Sequence, residues 1–270
     1  MKTSTTLPNF ANRRSFLKMA SIAGAAALAS KSGFADGVND NHDDESQQLT
    51  TGDVSILIAA EIAEALAVTT YTNIINMAPF FPLLPSDDQG YLQAAQQEEM
   101  SHYLLEQSVT GQPTPFTSFF YPPQMFSDTQ TTLNVLVTLE DAFIAAYLVG
   151  VMRFSHENLR LTAARIMGIE SDHRTLARVI GPDVDPSAGG PIEMITGIQG
   201  SAESVDPPNN NGYERTLGWT QIQQAVDALT PFADVSAAQA AGFDTSASYA
   251  FVPFTPRVPS QLGDFHSFNG

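Results

Sequence analysis

From Asp53 to Met152 the chain runs for 100 residues without a single Lys or Arg, yet acids recur inside its most apolar stretches. A carboxylate buried among apolar side chains without a cation costs several kcal/mol or takes up a proton. Such a chain must therefore expose these acids, pair them with cations from elsewhere in the sequence, or have them neutralised by something it does not itself encode. Glu140 is the sharpest case, because it sits within Leu133 to Met152, a run otherwise almost wholly apolar.

The apolar stretches themselves read as helices. Asp53 to Ala78 holds Val54, Ile56, Leu57, Ile58, Ile62, Leu66 and Val68 without Pro or Gly and stops before Pro79. Ser86-Asp87-Asp88-Gln89 has the form of a capping box and opens a second helix ending near Gly111. Ser127-Asp128-Thr129-Gln130 opens a third, through Leu133, Leu136, Leu139, Phe143, Tyr147 and Val151. A fourth runs from about Glu157 to Ile180 and is closed by Gly181-Pro182. Four long helices in succession predict an all-α four-helix bundle over residues 53–182. Short turns make helices one and two, and helices three and four, antiparallel neighbours. Between helices two and three, Gly111 to Phe126 could span roughly 50 Å if extended at about 3.3 Å per residue. That reach allows a long crossover and a parallel third helix.

Each helix carries acids: Glu61 and Glu64, then Glu98 and Glu99, then Glu140 and Asp141, then Glu170 and Asp172. Two histidines complete Glu-x-x-His pairs, Glu99 with His102 and Glu170 with His173. At 100° per residue, i and i+3 share a face, so carboxylate and imidazole can address one metal ion. At this composition two such pairs among five His arise by chance roughly once in fifty sequences. Tyr71 follows Glu64 by seven residues and Tyr147 follows Glu140 by seven, placing each Tyr two turns along its carboxylate's face. Glu98 and Asp141 neighbour these positions but point about 100° away. Glu61 lies close to the Glu64 face, and the matching Tyr favours Glu64. The competing counter-charges are Arg160, Arg165, Arg174 and Arg178 of the fourth helix.

The order Glu, Glu-x-x-His, Glu, Glu-x-x-His, with a Tyr behind each lone Glu, resembles the di-metal carboxylate site of the ferritin-like superfamily, and Glu64-x-x-Ala67-x-x-x-Tyr71 looks most like its rubrerythrin branch. The resemblance covers about residues 53–180. It implies a metal site formed by Glu64, Glu99, His102, Glu140, Glu170 and His173, with Glu64 and Glu140 as terminal or bridging ligands and Tyr71 and Tyr147 behind them. It implies two Fe or Mn ions per chain, between which the residues do not choose.

Composition narrows the partners. With 29 acids, 12 basic residues and a formal charge of −17, the chain is unsuited to nucleic acid or an anionic membrane surface. With no Cys it has no disulfide, zinc ribbon or Cys-ligated iron–sulfur cluster. Glu140-Asp141 at the centre of the third helix argues against a membrane span.

Five of the 12 basic residues precede residue 36, and the remainder of the chain carries seven Arg, no Lys and all 29 acids, a formal −22. Asn12-Arg13-Arg14-Ser15-Phe16-Leu17-Lys18 before the small apolar run Met19 to Ala29 resembles a twin-arginine export signal, cleaved after Ala29 or Ala35. The expected organisation is a signal at 1–35, a disordered linker at 36–52, the bundle at 53–182 and an irregular extension at 183–270 packed on it, with one helix from Thr220 to Leu229 before Pro231. The destination is the periplasm or the exterior.

The resemblance implies an oxidoreductase acting on peroxide, or on O₂ and Fe(II), in oxidative-stress defence. Lacking the Cys of a rubredoxin-like centre, a peroxidase here needs an external electron donor, whereas a dimanganese catalase needs none. Another reading is a non-enzymatic metal-binding protein like the exported desiccation- and stress-associated branch. The bundle also admits a homo-oligomer.

Overall fold

The computed structural model describes residues 49–180 and 217–257. The signal segment, most of the linker, the Gly181-Pro182 stop and much of the extension lie outside the described residues. Four long helices dominate: α1 (Thr51–Met77), α2 (Ser86–Thr110), α3 (Thr129–Arg153) and α4 (Glu157–Ile180). The chain folds as an all-α bundle with one small sheet.

Local chemistry sets the helix ends. Thr50 and Asp53 form a reciprocal capping box at the start of α1, which ends at extended Ala78 before Pro79. The boxes expected at α2 and α3 are not formed at the expected residues. Ser86 is already helical, and the cap position is Pro85, with no side-chain hydrogen bond. At α3 the cap is Asp128, one residue beyond Ser127, and its Oδ2 accepts from the Thr131 amide at 2.8 Å. The Ser127 and Asp128 amides both close onto the Gln124 carbonyl in the turn that leads into α3. Gly111 ends α2 in the left-handed region at φ +70°, where a side chain would be strained.

Contacts fix the helix directions. Thr110 meets Glu61 and Gln96 meets Thr72, so α1 and α2 are antiparallel. Arg174 meets Asp141, and Gly150 lies against Ala163, so α3 and α4 are antiparallel. Tyr71 meets Glu140 and Tyr147 meets Glu64, which makes α1 and α3 antiparallel as well. Helices α2 and α3 therefore run parallel, and the segment between them travels the length of the bundle.

That crossover carries strand β1 (Ser118–Tyr121), which pairs antiparallel with β2 (Asp244–Ala250) from the C-terminal region. Ser118 faces Ala250 and Phe119 faces Tyr249, after which the register shifts before Tyr121 meets Asp244. Buried Phe119 and Tyr121 face inward, and the Tyr121 hydroxyl is 3.0 Å from Thr70 Oγ1 on α1. Its ring packs edge-on against Phe126, Phe232 and Tyr249, tying crossover, extension and bundle together.

The expected helix near Thr220 is α5 (Ile222–Ala233), followed by short α6 (Val235–Ala240). Pro231 lies inside α5 rather than after it. It sits in the last turn, where the one amide it removes would have bonded the carbonyl of solvent-exposed Asp227. Helices α1 and α3 are long and apolar enough to cross a membrane, and most of each apolar window is buried inside the molecule. Their apolarity has a use here: Leu66, Ile74, Leu133, Leu136 and Leu139 are fully buried, each worth about 1.5–3 kcal/mol.

Candidate metal centre

The six residues singled out from the sequence converge midway along the bundle. Glu64, Glu99, His102 and Glu170 offer ligand atoms that all lie within 4.8 Å of one another, and Glu99, Glu140, Glu170 and His173 do the same. Glu99 on α2 and Glu170 on α4 belong to both groups, whereas Glu64 and Glu140 each belong to one. Antiparallel α2 and α4 bring Glu99-x-x-His102 opposite Glu170-x-x-His173 in reverse, which gives the cluster an approximate two-fold symmetry.

Imidazoles and carboxylates interlock. His173 Nδ1 is 2.9 Å from Glu99 Oε1, and His102 Nδ1 is 3.3 Å from Glu170 Oε1 and 3.5 Å from Glu64 Oε2. The far side of the His173 ring, Nε2, is 2.8 Å from half-buried Glu98. Glu98 thus orients the imidazole so that Nδ1 faces the cluster. Asp141 holds buried Arg174 at 2.8 Å, so that candidate counter-charge is engaged outside the cluster. Arg160 likewise donates to the Phe154 and Ser155 carbonyls.

The tyrosines stand behind the glutamates, but crosswise. Tyr71 of α1 donates to Glu140 of α3 at 2.7 Å, and Tyr147 of α3 donates to Glu64 of α1. Seven residues along one helix is the same offset as seven residues back along its antiparallel partner. Each Tyr therefore comes level with the other helix's carboxylate and not with its own.

Two further buried acids adjoin the site. Glu106 receives the Tyr147 hydroxyl at 2.7 Å, and Glu61 receives the Thr110 hydroxyl at 3.0 Å. Glu61, which competes with Glu64 on sequence spacing alone, falls outside both ligand groups. The Glu-x-x-His motif does not mark Glu106, although it lies seven residues beyond Glu99 and four beyond His102, on the same helical face.

The electrostatics show how far the cluster is from balance. Burial, then the charges of Glu99 and Glu170, push Glu64 and Glu140 well above the usual carboxylate range. Burial opposes charge on Glu99 too, but the His173 charge, the His173 hydrogen bond and the nearby His102 imidazole outweigh it and hold Glu99 low. Burial opposes the His102 charge, yet the Glu64 charge and the nearby carboxylates of Glu170 and Glu99 leave His102 well above its ordinary value; the Glu99 charge does the same for His173.

The donor set fits divalent cations. Glu64 Oε2, Glu99 Oε2, Glu140 Oε2, both Glu170 oxygens and His102 Nδ1 are buried without a hydrogen-bond partner. Orphaned buried acceptors of this number cost about 1–3 kcal/mol each unless something else satisfies them. Four glutamates carry the charge that two divalent ions cancel, and oxygen with imidazole nitrogen suits Fe or Mn. The buried cluster can hold metal ions.

Neither a curated protein nor a solved structure matches the chain. Residues 52–180 match the family described as ferritin-like domain. These are the residues of α1 to α4 and of every member of the cluster. Residues 52–180 of the chain are thus a ferritin-like domain.

Proposed function

We propose that this ferritin-like protein holds two Fe or Mn ions and acts as an oxidoreductase on peroxide, or on O₂ and Fe(II), as part of oxidative-stress defence. The observation that carries this reading is the pair of four-residue donor groups sharing Glu99 and Glu170. Glu64 and His102 would hold one ion, Glu140 and His173 the other, and the shared carboxylates would span both. Bound metal would supply O₂ or peroxide binding and exchange of electrons in pairs.

The rest is the protein's own work. Tyr71 and Tyr147 fix the outer oxygens of Glu140 and Glu64, so these carboxylates present their remaining oxygens inward. Burial, followed by the neighbouring carboxylate charges, keeps both phenols protonated. Glu64, Glu99, Glu140 and Glu170 are themselves buried from bulk water, which strengthens each electrostatic contact there. The absence of Cys leaves any peroxidase dependent on an external donor. The same proposal includes export by the twin-arginine route, on the strength of the Arg13-Arg14 segment.

The test is peroxide turnover by metal-loaded protein with and without reductant. Reductant-dependent turnover supports a peroxidase, and turnover without reductant indicates disproportionation as in a dimanganese catalase. Bound metal without turnover of peroxide or Fe(II) overturns the catalytic reading in favour of a metal-stabilised protective role.

A further inference from the structure

The six residues of the centre are at most 4% exposed, so an ion has to cross protein to reach them. The two halves differ in what lies along that way. On α2 the positions one and two turns beyond His102 are Glu106 and Thr110, the last residue of the helix. On α4 the position one turn beyond His173 is Ala177, and the helix then ends at Ile180, both buried. One side offers oxygen donors where the other is apolar.

Antiparallel packing sets these donors against acids of α1. His102 Nδ1 is 3.5 Å from Glu64 Oε2, and two turns further along α2 the Thr110 hydroxyl donates to Glu61 Oε2 at 3.0 Å. Glu106 stands on the same face between His102 and Thr110, about 6 Å from each at Cβ. It receives the Tyr147 hydroxyl, which also meets Glu64. At the outer end the Thr110 hydroxyl lies 3.2 Å from the carbonyl of exposed Gln112. Oxygen donors thus run from the exposed end of α2 past Thr110, Glu61 and Glu106 to Glu64.

Two atoms in this row ask for a ligand. Glu61 Oε1 and Glu106 Oε2 are buried without a hydrogen-bond partner among the described residues, on side chains 2% and 3% exposed. Both acids lie outside the two metal groups of the centre, and the chain has no Lys or Arg between Asp53 and Met152. Carboxylate and hydroxyl oxygens are hard donors of the kind that hold a partly hydrated divalent cation such as Mn(II).

We propose that Glu61, Glu106 and Thr110 form a third cation site, through which divalent metal ions pass on their way to the Glu64 and His102 half of the centre. This rests on the di-metal reading of the cluster. The site offers two carboxylates and a hydroxyl, against three carboxylates and an imidazole in each group of the centre, so it holds its ion more weakly and gives it up inward. Protein freed of loosely bound metal therefore keeps the ions of the centre alone. Metal–ligand contacts are exchanged, and no covalent bond breaks and no electron moves. With Ala177 and Ile180 in the corresponding places on α4, loading proceeds from one end.

Titration of metal-free full-length protein with Mn(II), followed by the electron paramagnetic resonance signal of the free ion, counts the sites. Wild type should take up about two ions tightly and about one more weakly. Glu61→Gln and Glu106→Gln, which keep the side-chain shape, should each retain the tight ions and lose the weak one. Tight binding without a weak ion in wild type, or a weak ion that persists in both variants, overturns the site. Stopped-flow mixing tests the passage: filling of the tight sites should slow by about tenfold in Glu61→Gln, with the final content unchanged. Equal rates in wild type and both variants overturn the route. Wild type that binds no Mn(II) tightly overturns the di-metal reading instead, while the weak ion and its loss in the variants still decide whether Glu61 and Glu106 hold a cation.

Discussion

Glu61 offers a quantitative test of how the bundle tolerates a buried acid that lies outside both metal groups. Its side chain is 2% exposed on α1, with one oxygen held by Thr110 and the other unpartnered. Burial pushes its carboxyl up to about 7 from 4.5, against a smaller opposing effect of the Thr110 hydrogen bond. The folded protein thus prefers Glu61 protonated, so its contribution is fully present below the unfolded value and is lost as pH rises through about 7. A rise of that size, at 1.36 kcal/mol per unit, amounts to about 3 kcal/mol of stability lost between pH 4.5 and pH 8. Glu61→Gln keeps the shape and an acceptor for Thr110 but cannot ionise. In metal-free full-length protein the variant should match wild type near pH 4.5 and exceed it by about 3 kcal/mol at pH 8, roughly 6–12 °C in Tm. Thermal or urea unfolding across this pH range, with chelator present, measures the difference. A variant less stable than wild type at pH 8, or a pH-independent difference, would refute the reasoning.

Other substitutions probe neighbouring links. Tyr71→Phe and Tyr147→Phe leave Glu140 and Glu64 without their donors, and each should weaken metal binding by about 10- to 100-fold in a competition titration while the fold is retained. Gly150→Ala should destabilise by about 1–3 kcal/mol in urea unfolding, because its Cβ would lie 2.9 Å from the Phe154 ring and 3.3 Å from Ala163 where α3 packs on α4. Asp53→Ala removes the carboxylate half of the α1 capping box, leaving the Thr50 side chain on the residue-53 amide, together with the bonds to Ser155, which lies between α3 and α4. It should cost about 1–3 kcal/mol at pH 7. That loss should shrink in acid, because the Ser155 and Thr50 hydrogen bonds outweigh burial and hold Asp53 below its usual value, and they weaken as pH falls through it.

The sequence made the helices and the six cluster residues legible because both rest on short-range periodicity. Spacing along one helix places Glu99 with His102 and Glu170 with His173 regardless of what lies opposite. The crossed pairing of Tyr71 with Glu140 depended instead on the relative direction of α1 and α3, and spacing within one helix carries no such information. Glu106 was hidden for another reason: the motif ends at His102, and only comparison with Ala177 one turn past His173 marks it as different. Strand β1 was illegible because its partner β2 lies more than 120 residues away, so Ser118 to Tyr121 has no local signal beyond being extended.

The central claim is that two metal ions share Glu99 and Glu170, and metal stoichiometry across single substitutions tests it most directly. Elemental analysis of purified, folded protein should give about two Fe or Mn per chain in wild type. Glu64→Ala and Glu140→Ala, each removing a residue of one group only, should retain about one ion. Glu99→Ala, which removes a residue common to both groups, should retain almost none. Wild type without bound metal, or Glu99→Ala with the full wild-type complement, would contradict the account.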